Sequence, residues 1–278
     1  MRSQRNLALG GACPLADGVV VAENTELMTS TVLGPTLAIV CLVMAAAAAV
    51  VYRIAQLGPW WAVPGASVRA AAQLAAVSAI LGLAIAELWS SVVVLGVMVL
   101  VAAWTAARRS QADVGSAWVA LPIAAGLTAV IPLLLGTGLV PLDGMAIVPV
   151  VGIVLGGTMT AVSVASRRAL DTLTSRAGEV DAALSLGLSE RDSRFEVISR
   201  AAADALLPNV DQARTAGLVT LPGAFVGVLL STGSAAQAGA VQVLVLVALL
   251  LSQSCAVAVT RELVARGRIA RKRDAVVR

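Results

Sequence analysis

Few groups in this sequence could do chemistry, and their placement excludes more than it offers. There is no histidine, so imidazole acid–base catalysis and histidine-ligated metal are ruled out. The cysteines, Cys13, Cys41 and Cys255, stand too far apart in sequence to form a metal knuckle or a redox pair. The only lysine, Lys272, is not part of a Gly-x-x-x-x-Gly-Lys-[Ser/Thr] phosphate loop. If ATP drives this chain, another chain must hydrolyse it. The remaining soft or amide ligands, Cys41, Met44, Gln73, Met98, Met159, Gln242, Gln253 and Cys255, fall within apolar runs. They could line a path for a metal ion or simply pack, and both readings stay open. None of those runs contains Asp, Glu or His, so a buried proton relay is absent. No metal site is expected in the chain itself.

Residues 166–214 form the one long polar stretch, with eight carboxylates and seven arginines. Within it, Glu179 and the run Asp181-Ala182-Ala183-Leu184-Ser185-Leu186-Gly187 read as a short helix that Gly187 ends in the C′ role. Ser189, with Asp192 three residues on, opens a second helix in the manner of a capping box. Phe195, Ile198, Ala202 and Ala205 then share a face that must bury against a partner or a neighbouring span, until Pro208 approaches. Further on, Leu221-Pro222-Gly223 interrupts an uncharged run. Proline removes a backbone donor and glycine loosens the chain, so a broken helix follows, either lining a pathway or serving as a plain kink. Gly152-x-x-x-Gly156 continued by Thr160, and Gly223-x-x-x-Gly227, are small-residue stripes for close helix approach, within one chain or between two copies.

The elements that must position these residues belong to a membrane. Of the 278 residues, 59% are hydrophobic and 13% charged, with a mean hydropathy of +0.91, and the long runs are apolar all round rather than striped. Seven spans are expected, at 31–51, 70–86, 91–107, 118–135, 146–165, 216–230 and 241–260, the second and sixth being short for a hydrocarbon layer of about 30 Å. The connections alternate between Arg-bearing and Arg-free, which by the positive-inside rule puts the N-terminus outside and the C-terminus in the cytoplasm. The domain expectation is a single permease domain at 31–262 containing the cytoplasmic loop 166–214, followed by a basic tail at 263–278. Residues 1–30 read as an extension, with Met28 as the expected true start. The basic residues sit at segment ends rather than in a patch interleaved with aromatics, so nucleic acid is not an indicated partner.

The Asp181–Gly187 run, placed in the longest cytoplasmic loop, resembles the EAA loop of ABC-transporter permeases. Pro149-Val-Val-Gly152-Ile-Val-Leu-Gly156, Ser185-Leu-Gly187, Leu207-Pro208 and Gly217-Leu-Val-Thr-Leu-Pro222-Gly223 with Gly227 together resemble the FetB-like iron-export permeases, whose relatives include plant proteins linked to aluminium tolerance. That resemblance implies an all-α permease, present as two copies in the bacterial plasma (inner) membrane. Glu179, Asp181, Ala182, Ala183 and Gly187 would seat it on a cognate ABC ATPase that carries the ATP and Mg. Gly217, Pro222, Gly223 and Gly227 would form the pathway hinge, and the cargo would be an exported metal ion such as iron or a small solute. Where that family has Met-Met-x-Gly-Gln after the Pro-Gly, this chain has Ala224-Phe225-Val226-Gly227-Val228, so those substrate contacts are not shared. An importer permease working with a binding protein, and a non-transporting membrane scaffold or receptor, are the rival readings.

Overall fold

A computed structural model describes residues 35–84, 88–138 and 144–271. The expectations that rest on residues 1–30 and on Lys272 lie outside the described residues. The chain divides into two compact units, one ending at Leu81 and one beginning at Gly82. All regular elements among the described residues are helical, with only isolated β-bridges besides. Among the described residues, five helices are long and apolar enough to cross a membrane. The protein is an all-α membrane protein.

The first unit holds α1 (Pro35–Ile54) and most of α2 (Ala62–Ala84). Helix α2 begins well before the apolar run expected at 70–86, because Val63-Pro64 occupies its first turn, where a missing N–H costs nothing. Arg69 therefore lies inside a helix instead of flanking a loop. The connection between the helices carries Trp60 and Trp61, edge to face with centroids 6.0 Å apart. With Tyr52 and Arg53 at the end of α1, they have the composition of a membrane–water boundary.

The second unit is built around α10 (Ala235–Ala265), which packs on α4 (Ala120–Gly136), α5 (Gly144–Ser175), α7 (Glu190–Ala203) and α9 (Gly223–Thr232). Helix α3 (Leu88–Arg109) lies against α5, and a single 3₁₀ turn, Ser116–Val119, leads into α4. The core runs through these elements, with Ile123, Val162, Leu170, Ile198 and Ala256 fully buried. Between spans, lipid offers no hydrophobic gain over side chains, so contact area and small residues decide the packing. A Cβ on Gly126 would lie 2.6 Å from the Ser252 carbonyl oxygen, and one on Gly157 2.5 Å from Leu249 Cδ2. The Thr158 and Ser252 hydroxyls share a buried hydrogen bond of 2.7 Å beside these glycines.

At 32 and 31 residues, α5 and α10 measure about 48 and 46 Å at 1.5 Å per residue, well beyond a hydrocarbon layer of about 30 Å. Their surplus lies at the C-terminal ends, where the charges begin at Arg167 and Arg261. These overhangs form a platform at the arginine-rich end. There the Arg191 guanidinium on α7 grips Glu262 on α10 through both carboxylate oxygens, at 3.1 and 2.5 Å. Helix α10 closes with Gly267 at φ +66, Gly267 N–H donating to Val264 and Arg268 N–H to Leu263. The chain then folds back. Ala270 pairs with Val114 in an antiparallel bridge, Ile269 is fully buried, and Arg271 binds Asp171 at 2.7 Å. At least the first part of the expected basic tail is thus docked structure.

Candidate functional site

Two local breaks in helical structure, each closed by glycine geometry, hold the residues singled out in the sequence. The first is the turn between α6 (Ala177–Ser185) and α7. Gly187 has φ +90, its N–H donates to Leu184 O at 2.9 Å, and Leu188 N–H reaches Ala183 O at 3.2 Å. That is the paired C′ and C″ arrangement in which left-handed glycine ends a helix. Ser189 then caps α7, its Oγ accepting from Asp192 N–H at 3.1 Å and donating to the Asp192 carboxylate at 2.6 Å. The Ser189 hydroxyl, and after it the Arg191 guanidinium, hold the Asp192 carboxyl below its ordinary range.

The two helices differ in what they bury. On α7, Ile198 and Ala202 are fully buried, Ala205 follows just beyond, and Phe195 lies under the guanidiniums of Arg191 and Arg261 at 4.6 and 4.2 Å. The striped face expected for this helix is bedded on α5 and α10. On α6 no residue is buried. Glu179, Asp181, Ala182 and Gly187 are exposed, Ala183 is half-buried, and Leu184, Leu186 and Leu188 present apolar surface, Leu186 at 83% exposure. An exposed helix is carried on a rigid one, at the arginine-rich end of the unit.

The second break falls between α8 (Leu207–Thr215) and α9. The expected span at 216–230 is not continuous: residues 216–222 form a non-helical link, and the helix starts only at Gly223. Gly217, at φ +83, donates to Thr220 O, closing a small loop, and Pro222 is extended at φ −65, ψ 152 as the N-cap of α9. Proline supplies no side-chain acceptor, so the first-turn amides of α9 need partners from elsewhere. Gln242 of α10, 6% exposed, provides one, its Oε1 accepting from Phe225 N–H at 3.1 Å. Sequence reasoning had Gln242 only as a possible ligand or packing group; the signal for its capping role is a neighbouring helix start without a polar cap. Gln242→Leu is expected to destabilise α9 by about 1 kcal/mol, read as roughly fivefold faster hydrogen exchange at the Phe225 amide. An unchanged rate would show that the contact does not support the helix.

The glycine stripes sort differently from the spacing expectation. Among the described residues, a Cβ on Gly152 would meet only the end of Met98, at 3.1 Å, and one on Gly156, Gly223 or Gly227 would meet no neighbour within 4 Å. Thr160 is exposed. Close approach between long helices of the unit falls on Gly126, Gly144 and Gly157, which spacing alone did not mark. Among the soft ligands, Met159 and Cys255 are half-buried on α5 and α10, while Cys41 and Met44 are exposed on α1. Gln253 is fully buried, and neither amide atom has a hydrogen-bond partner among the described residues. Among the described residues no three His, Cys, Asp or Glu side chains gather as a metal site would require.

A family described as Uncharacterised protein family (UPF0014) matches residues 35–268. The UPF0014 membrane protein STAR2 of rice is 32% identical over 150 residues, 54% of this chain and 53% of its own length. ALUMINUM SENSITIVE 3 of Arabidopsis thaliana is 31% identical over 150 residues, 54% of this chain and 55% of its own. The probable iron export permease protein FetB of Escherichia coli K12 is 30% identical over 156 residues, 55% of this chain and 60% of its own. The chain thus spans between about half and three-fifths of the length of these relatives. No solved structure matches it.

Proposed function

Since the chain belongs to the UPF0014 family across residues 35–268, we propose that it is the membrane permease subunit of an ATP-driven ABC transporter that exports a metal ion such as iron or a small solute. The observation that carries this reading is α6, a helix with no buried residue, fixed by the Gly187 turn to the buried helix α7. A coupling helix needs that combination: an open face for a groove in the ATPase, and a stiff link to the spans. Glu179, Asp181, Ala182 and Ala183 would enter the groove, and Gly187 would set the exit angle. ATP and Mg would be held by the ATPase alone.

Seven spans with the N-terminus outside and the C-terminus cytoplasmic complete the reading, α2 and the interrupted segment 216–230, whose helical part belongs to α9, joining the five long apolar helices. In it the membrane is the bacterial plasma membrane, and the permease works as two copies. The open sides of Gly156, Gly223 and Gly227 favour contact between copies. ATP-driven movement of α6 and α7 would pass through the Arg191–Glu262 grip to α10, and through Gln242 to the Gly217–Pro222–Gly223 hinge. The similarity to a protein described as a probable iron export permease supports a metal cargo.

The test is co-reconstitution in vesicles with a cognate ABC ATPase from the same organism. ATP hydrolysis should rise when iron, another metal ion or a small solute is enclosed on the ATPase side. No association with any ATPase, together with no stimulation by any of these, would refute the proposal.

A further inference from the structure

At the arginine-rich end of the second unit, a cavity of about 410 Å³ opens between the last turn of α3 and the flank of α5. It is lined by Arg108, Arg109, Gln111, Thr160, Ser163 and Arg167. We propose that this cavity is a binding site for the phosphate headgroup of an anionic glycerophospholipid in the adjoining leaflet.

Charge supports it first. Arg168, Arg176, Arg191, Arg194, Arg214, Arg266 and Arg271 each lie within 4.0 Å of a carboxylate, and Arg261 and Arg268 sit over aromatic rings. Arg108, Arg109, Arg167 and Arg200 have neither among the described residues apart from the Arg108–Trp104 stack, and the first three of them line one cavity. Asp171, one turn beyond Arg167, is taken by Arg271. Three arginines lining one concavity, without a counter-charge among the described residues, suit a phosphate, since each guanidinium offers a fork of donors matched to phosphate oxygens.

Of the other polar groups, Gln111 suits the same ligand. Thr160 and Ser163 donate their hydroxyl protons to the carbonyls of Gly156 and Met159, at 3.0 and 2.7 Å. Those hydroxyls therefore leave the donor role to the arginines. Gln111, held at φ 56, accepts from Arg271 through Oε1 at 3.2 Å, which leaves its amide N–H₂ available to donate. Among the described residues no acidic side chain lines the cavity.

Depth selects the lipid. Arg108 and Arg109 end the apolar run of α3, and Arg167 is the first charge after the apolar run of α5, so all three lie where hydrocarbon gives way to water. The Arg108 guanidinium stacks on the exposed Trp104 ring at 4.3 Å, an aromatic anchor at the same level. A volume of about 410 Å³ falls within the range of small-molecule sites, and basic concavities between spans at this boundary suit anionic headgroups.

The test uses the full chain in detergent, with retained lipid counted by native mass spectrometry. Phosphatidylglycerol should be held in preference to phosphatidylcholine. The triple variant R108Q/R109Q/R167Q should lose affinity for it on the order of 100-fold, at about fivefold per arginine. Thr160→Glu, which adds a negative charge on an exposed helix face and leaves the arginines in place, should lose it too, and serves if the triple variant fails to fold. R176Q/R214Q removes two arginines that already pair with carboxylates, and should retain the lipid. Sodium phosphate at millimolar concentration should not displace phosphatidylglycerol. Retention by either cavity variant, equal loss in R176Q/R214Q, or displacement by free phosphate would each overturn the assignment.

Discussion

Replacing Gly187 with Val, or Ala183 with Trp, is expected, on the proposed coupling role of α6, to cut the ATP turnover of a co-reconstituted ATPase by at least about tenfold, a loss of roughly 1.4 kcal/mol in coupling. The amount of protein inserted in the membrane should not change. Gly187 has φ +90 with no atom within 4 Å of an added Cβ. The substitution therefore acts through the backbone: a β-branched residue opposes this conformation by about 1–2 kcal/mol, and the turn that aims α6 relaxes. Ala183 contributes the carbonyl that closes the same turn and is half-buried on a helix with no buried residue. An indole there would block close seating in a groove without reaching the core. Gly187→Ala should fall between wild type and Gly187→Val, since it keeps the strain but removes the branching. Turnover measured on matched amounts of inserted protein distinguishes loss of coupling from loss of protein. Unchanged turnover in both variants would remove α6 from the coupling role.

Gly115→Val is expected to destabilise the second unit by about 3 kcal/mol and to free the segment that follows α10. Gly115 has φ +73, and a Cβ there would fall 1.7 Å from the Arg268 carbonyl oxygen. Backbone meets backbone at this point, so no rotamer change relieves the clash. The chain must separate where Asp113 and Val114 N–H groups donate to Ala270 O, at 3.1 and 3.0 Å. Buried Ile269 and the Arg268–Trp118 contact go with it. Thermal denaturation in detergent should show the loss, and trypsin should cut after Arg268 and Arg271 well before it does in the wild type. Gly239→Ala, on α10 with open space at its Cβ, is the control and should be neutral or slightly stabilising. Wild-type stability and protease resistance in Gly115→Val would mean that the segment after α10 does not dock on the 113–115 loop.

Much of this architecture was legible from periodicity and charge, because lipid imposes simple rules. Runs without charge became helices, and the arginines at 108–109, 167 and 261 mark one end of the second unit. The Gly187 turn and the buried face of α7 were readable because left-handed glycine and a 3.6-residue stripe leave direct marks in sequence. Pro222-Gly223 marked the break in the sixth run, but its extent did not follow from local chemistry. The support for α9 comes from Gln242, seventeen residues on, and a tertiary cap has no local signature. Regular spacing identifies a small-residue stripe but not the side that a neighbour occupies: within the unit the close approach falls on Gly157, while the next glycine, Gly156, faces open space. The antiparallel bridge between Val114 and Ala270 joins segments distant in sequence, and an Arg-rich stretch gives no sign that it will fold back.

The central claim, that α6 seats in an ATPase subunit, is tested most directly by a photo-reactive amino acid at position 186, where Leu186 is 83% exposed. Illumination of the membrane complex should yield an adduct with the ATPase from position 186. None should form from position 230, where Leu230 on α9 is equally open at 82%. No adduct from position 186, or equal adducts from both positions, would contradict the account.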